Sequence, residues 1–237
     1  SYIKVYDFYR DHGLTSVDGF GSPILILTDY CDSRKVPVNN AVYLGMCGGW
    51  VVFSASAAND FGECVDVAAH EFTHGITDYT AGGNLYQNAY GAVNEGISDV
   101  CGNLCELLLG ETNDDTWLLG ENSGNAVRSM SAPWLYGQPS KLYDRFYYPE
   151  TGSPVLENDY GGVHTNSSLV GYVGYRLCAE GMTEETAFEL WMGMLRLMTP
   201  KSGYQEVHEA LKFAAGIQGI DEGWQKKIDE ICKSCGY

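Results

Sequence analysis

The period of the apolar positions changes twice along the chain. Up to about residue 60, short apolar stretches at 24–27 and 50–53 are bounded by turn residues, which predicts strands and loops. From about Glu63 the spacing turns helical, with Cys64, Val67, Ala68, Phe72 and Ile76 recurring at three and four residues. A second helix fits 93–109 and is closed by Gly110. Residues 111–165 carry Gly, Asn, Ser, Pro and many tyrosines without a period and read as long ordered loops. Helices return at about Ser167, with Asn166 or Ser167 as cap. Another starts after Thr183, with Glu184 and Glu185 in its first turn, and two more fit 204–215 and 223–232. No repeat or low-complexity tract interrupts this order. The pattern predicts an α+β protein, with a β-rich N-terminal lobe over 1–80 and a mainly α-helical C-terminal lobe over 81–237.

Charge narrows the partners. Acidic residues outnumber basic ones 31 to 14, for a formal net charge of −17, which repels nucleic acid and anionic lipid at long range. Most of these carboxylates read as a solvated surface. No apolar run reaches the roughly 18 residues of a membrane span, and the first residues form neither a basic n-region nor an apolar h-region. Because the chain begins with Ser1, it reads as a mature or trimmed product, so the missing leader is silent about secretion. Eight cysteines permit disulfides in an oxidising compartment, with no pairing legible. Cys232 and Cys235 read as a local disulfide or two idle thiols, and Cys101 and Cys105 as core residues.

The chemistry concentrates on the first two helices. Val67-Ala68-Ala69-His70-Glu71-Phe72-Thr73-His74 contains HExxH, and four-residue spacing puts both imidazoles on one helical face, one turn apart, where they can share a zinc ion. Glu71 lies beside that face. A catalytic zinc takes three protein ligands and keeps one position open, so a third ligand is needed. The second helix carries Asn94-Glu95-Gly96-Ile97-Ser98-Asp99, in which Glu95 completes a His2Glu set. Asp99, one turn on, can accept the free ring N–H of a ligand histidine.

HEFTHGITDYTAGGNLYQN followed by GAVNEGISDV resembles the thermolysin-like zinc metalloendopeptidases. The similarity also takes in VYDFYR near the start, NNA at 39–41, RSMS at 128–131, GGVHTNS at 161–167 and the helical C-terminal end, so it covers nearly the whole chain. Further β-structure that the family carries ahead of VYDFYR is not in this sequence. The resemblance implies a zinc active-site helix between the two lobes, with His70, His74 and Glu95 as ligands and Glu71 as general base. It implies Tyr86 and His164 as oxyanion donors, with Asp159 orienting His164. Asn40 and Ala41 would bind substrate backbone, Arg128 a substrate carbonyl, and Val67, Leu119 and Val127 an apolar residue after the scissile bond.

The resemblance also implies at most one calcium ion, among Asp66, Glu106, Asp114 and Glu121, because Thr116 and Leu118 stand where relatives supply further acidic ligands. The expected partners are peptide or protein substrates, with no nucleic acid and no membrane, for a secreted, extracellular monomer. Two other readings stay open at this point: a non-catalytic, zinc-stabilised binding module, against which the intact Glu71 argues, and a zinc aminopeptidase, for which no acidic motif gripping a substrate amine is evident.

Overall fold

The computed structural model describes residues 1–237 apart from 29, 30, 32, 33, 36–39, 47, 48, 55–60, 84, 112–116 and 125, and describes only the backbone of 46 and 49–54. Helix α1 (Tyr2–Asp11) leads into strands β1 (Ile24–Thr28), β2 (Ala41–Met46) and β3 (Gly49–Ser54). Two long helices follow, α2 (Val65–Thr80) and α3 (Asn88–Leu109), then the short strands β4 (Leu118–Leu119) and β5 (Arg128–Ser129). The chain ends in helices α4 (Asp159–Asn166), α5 (Ser168–Ala179), α6 (Glu184–Leu195), α7 (Tyr204–Ile217) and α8 (Glu222–Ser234). The result is a small sheet against a mainly helical body.

Two expectations are corrected here. Residues 2–11 form a helix rather than strands and loops, because Val5, Phe8 and Tyr9 make a buried stripe at helical spacing. The Tyr9 ring stacks on Phe72 of α2 with centroids 4.9 Å apart, and its hydroxyl meets Thr73 Oγ1 at 2.7 Å. Within 111–165, α4 is also present. Its first residues, Asp159 to Gly162, have positive φ, and Gly161 and Gly162 supply the conformation that L side chains rarely take.

The sheet order is β1-β3-β2, with β1 parallel and β2 antiparallel to β3. Among the described residues β2 therefore pairs on one side only. β2 also packs against α2.

Helices α2 and α3 form the centre of the molecule, and both are buried over most of their length. Their approach depends on Gly102, where a Cβ would lie 2.5 Å from the Asp66 carbonyl oxygen. Gly110 ends α3 in the left-handed conformation at φ 67°, and Thr183 caps α6 by accepting from the Thr186 N–H. Trp191, Phe188, Leu190, Leu195 and Leu169 fill the core beneath α3. Among the described residues Cys101, Cys105, Cys178, Cys232 and Cys235 are free thiols, and all but Cys178 are buried.

Candidate metal centre and catalytic cleft

Burying a polar side chain is costly unless it is partnered, so the polar residues on the buried faces of α2 and α3 mark the site. They are Asp66, His70, Glu71, Thr73, His74 and Thr77 on one helix and Asn94, Glu95, Ser98, Asp99, Asn103 and Glu106 on the other. His70 Nε2 and His74 Nε2 face each other at 2.9 Å, with Glu95 Oε2 3.5 Å from the first and Oε1 3.2 Å from the second. All three residues offer ligand atoms within 4.8 Å of one another. Two imidazole nitrogens and a carboxylate turned on one point need a positive charge between them, and two nitrogens with one oxygen is a donor set that suits zinc.

The surroundings hold this set in place. Asp99 Oδ1 stands 2.9 Å from His70 Nδ1, and Asn94 Oδ1 3.0 Å from His74 Nδ1, with the Ser98 hydroxyl at 3.2 Å. Burial opposes charge on His70, but Asp99 and Glu95 outweigh it and push the imidazole up to about 10. Burial likewise works against Glu95, which His164, His74 and His70 nevertheless hold well below the usual carboxylate range. Arg128, itself buried, donates from Nε to Asp99 at 3.0 Å and from an Nη to Glu95 at 3.3 Å. Burial would raise Asp99, yet Arg128 and His70 bring it below its ordinary value.

These residues lie on a cleft of about 650 Å³ whose lining includes Asn40, Ala41, His70, Glu71, Glu95 and Arg128. Glu71 accepts no hydrogen bond from a side chain among the described residues. Tyr86 donates to Glu95 Oε1 at 2.5 Å, and its oxygen lies 3.1 Å from His164 Nε2. The Tyr86 hydroxyl therefore lies in the site. Asp159 Oδ1 is 2.5 Å from His164 Nδ1, and its other oxygen accepts the His164 backbone N–H at 2.9 Å. Burial disfavours charge on His164, and Glu95 and Asp159 overcome it, so its pKa is raised. The left-handed turn 159–162 presents both groups, and a Cβ on Gly162 would lie 2.6 Å from the Tyr148 ring.

At the start of α2 the cleft wall is apolar. Phe61, Cys64, Val67 and Leu119 cluster there with Ala41 against them, and Val127 also lines the cleft. Behind this wall Asp66, Glu106 and Glu121 bring carboxylate oxygens within 4.8 Å of one another. Burial, then Asp66 and Glu121, pushes Glu106 up to about 9. Asp66 accepts the backbone N–H of Val67 at 2.7 Å and of Gly120 at 2.5 Å, tying the acidic group to the wall. Asp114 and Thr116, like Asn39, lie outside the described residues.

Four residues at the site escaped the sequence reading, Phe61 of the apolar wall among them. Asn94 and Ser98 share the buried polar stripe of α3 with Glu95 and Asp99, and that stripe in an otherwise apolar helix is the signal that finds them. Asp78 lines the cleft one helical turn beyond His74, on the face that carries both imidazoles.

Comparisons with known proteins agree with this geometry. The family model "Thermolysin metallopeptidase, catalytic domain" matches residues 1–78, and "Thermolysin metallopeptidase, alpha-helical domain" matches 83–230. Bacillolysin of Bacillus caldolyticus is 32% identical over 233 residues, covering 91% of this chain and 40% of that protein. The extracellular elastase of Staphylococcus epidermidis is 32% identical over 248 residues, covering 98% of this chain and 44% of that protein. The chain thus spans about two fifths of the length of these relatives. Among solved structures, the precursor of protealysin from Serratia proteamaculans superposes with a TM-score of 0.79 at 25% identity, over 99% of this chain and 76% of that one. With two family models that together take in most of its length, and with the ligand set of α2 and α3 in place, the chain belongs to the thermolysin metallopeptidase family.

Proposed function

We propose that the chain is the catalytic region of a zinc-dependent endopeptidase that hydrolyses internal peptide bonds before apolar residues. The observation that carries this reading is the convergence of His70, His74 and Glu95 at the floor of a cleft, with Glu71 beside them and an open strand edge alongside.

His70, His74 and Glu95 hold the ion. When bound, zinc supplies Lewis acidity to the reacting carbonyl and acidifies water. Glu71 takes a proton from the attacking water and returns it to the leaving amine. Tyr86 and protonated His164 donate to the developing oxyanion, with Asp159 fixing the imidazole. Arg128, clamped by Asp99 and Glu95, directs its remaining donors at a substrate carbonyl. The free edge of β2, from Asn40 and Ala41 onward, receives extended substrate backbone as an added strand. Phe61, Val67, Leu119 and Val127 receive the apolar side chain that follows the scissile bond.

The wider organisation follows the same reading. Two lobes, 1–80 and 81–237, meet at the end of α2, which the division of the family models between 78 and 83 supports. One calcium ion binds among Asp66, Glu106 and Glu121. The protein acts as a monomer, and it acts outside the cell, the latter by analogy with the relative named an extracellular elastase. Among the described residues no helix is long and apolar enough to cross a membrane.

Metal analysis coupled to hydrolysis of a peptide blocked at both ends tests the reading. One zinc per chain, internal cuts, loss with chelator and recovery with zinc are expected. Removal of single residues from the free amino end of unblocked peptides only, or no cleavage by zinc-loaded protein, would overturn it.

A further inference from the structure

The cleft continues past the metal ligands into a second chemical environment. Ala41 rests on the apolar cluster at the start of α2, whereas Tyr43, two residues along β2, reaches the far half of the same helix. A Cβ on Gly75 would lie 3.1 Å from the Tyr43 ring, and the Tyr43 hydroxyl and the Asp78 carboxylate are close enough to interact electrostatically. Asp78 lies four residues beyond His74, about 6 Å further along the helix axis, and like Leu44 and Gly45 it lines the cleft. The cleft therefore has an apolar end, a metal centre and an acidic end, in that order along α2.

The acidic end is short of positive charge. Asp78 forms no ion pair with lysine or arginine among the described residues, and no lysine lines the cleft. The arginine that does line it, Arg128, is committed to Asp99 and Glu95. An ionised carboxylate offers about four acceptor sites, and a cation can use several of them at once. Burial raises the pKa of Asp78, with His74 and Tyr43 acting against this, and a cation placed beside it would favour the charged carboxylate. The bland alternative is that Asp78 merely ties β2 to α2. That tie needs one oxygen and no place on the cleft wall.

We propose that Asp78, beside Tyr43 on the cleft wall, forms a subsite for a positively charged group on the amino side of the scissile bond. The inference rests on the endopeptidase reading for its direction. If the residue after the scissile bond occupies the apolar end, a strand added along β2 carries the preceding residues past the metal centre toward Tyr43 and Asp78. The cation is a lysine or arginine side chain, or the free α-amine of a short peptide that ends there. Asp78 is then a specificity-determining residue in a chain otherwise selected by apolar contact.

The test uses zinc-loaded protein and a series of blocked peptides with leucine after the cleavable bond and lysine, norleucine or glutamate one to three residues before it. A parallel arm uses the norleucine peptide with a free amino end at the same distances. Affinity is measured by calorimetry on the Glu71→Gln variant, so that binding is read whether or not the protein hydrolyses anything. At one position lysine is expected to bind about five- to tenfold more tightly than norleucine, and glutamate more weakly than either, as for a half-buried ion pair. The free-amine arm separates side-chain recognition from recognition of the chain end. Adding Asp78→Asn should bring the lysine-to-norleucine ratio near one, whatever it does to absolute affinity. Equal binding of lysine, norleucine and glutamate peptides in the unsubstituted cleft would overturn the subsite even if Asp78→Asn failed to fold. A preference that survives Asp78→Asn would overturn it too. Absence of hydrolysis by the parent protein, with the binding preference intact, would overturn the endopeptidase reading and leave the subsite standing.

Discussion

The Asp99 carboxylate lies 2.9 Å from Nδ1 of His70, on the opposite side of the ring from the Nε2 that faces His74. A carboxylate in that position fixes which ring nitrogen carries the proton and makes the other a better donor to metal. Arg128 holds Asp99 in turn, so the orientation of a ligand imidazole is set by a buried chain of charge running back from the cleft. Asp99→Asn keeps the size of the group and removes the charge. Zinc affinity, measured by competition with a chromophoric chelator, is expected to fall about 10- to 100-fold. Unchanged affinity would mean that Asp99 serves packing alone.

The ionisation of the metal-free protein gives stability a defined dependence on pH. His70 is raised from 6.5 to about 10 and Glu106 from 4.5 to about 9, so the folded state holds both protons more tightly than the unfolded state. Their contribution is complete below the unfolded values and is lost as pH rises through the folded ones. Chelator-treated protein should therefore lose Tm steadily between about pH 6 and pH 10. Zinc replaces the proton on His70, and a cation at Glu106 replaces the other, so saturation with zinc and calcium should flatten the curve. In acid the sign reverses, because Glu95 and Asp99 are held below their ordinary values and lose their contribution as pH falls through them. A metal-free Tm that rises from pH 6 to pH 10 would contradict this assignment.

The close approach of α2 and α3 gives a steric prediction. At Gly102 an added methyl would meet backbone, the Asp66 carbonyl oxygen at 2.5 Å, and backbone yields less readily than a flexible side chain. Gly102→Ala is expected to cost about 1–3 kcal/mol of stability. Because Glu95 rides on α3 and both histidines on α2, it should also weaken zinc binding. A variant with parental Tm and parental zinc affinity would show that the helices separate freely.

Much of this was legible from the chain. HExxH with Glu95 and Asp99 placed a metal centre on two helices, since spacing of three and four on a helix is a geometric statement as well as a pattern. Gly110 and Thr183 marked helix ends for reasons of backbone conformation and hydrogen bonding that the structure bears out. Helix α1 was missed because Tyr, Ile, Val and Phe are strand-forming types, and only the docking of Val5, Phe8 and Tyr9 decides between the two periods. Asp78 was missed for a different reason. A carboxylate among many has no local signature, and its place on the cleft comes from the fold, which brings β2 against α2 across a long stretch of sequence.

The account turns on Glu71 acting as base rather than as one more buried carboxylate. Glu71→Gln leaves His70, His74 and Glu95 untouched and removes only the group that takes the proton. The direct measurement is zinc content and kcat/KM, side by side, on a doubly blocked peptide carrying one leucine. The account predicts one zinc per chain in both proteins, cleavage before leucine by the parent, and a rate about a hundredfold to ten-thousandfold lower in the variant. Equal rates in two equally zinc-loaded proteins would contradict it.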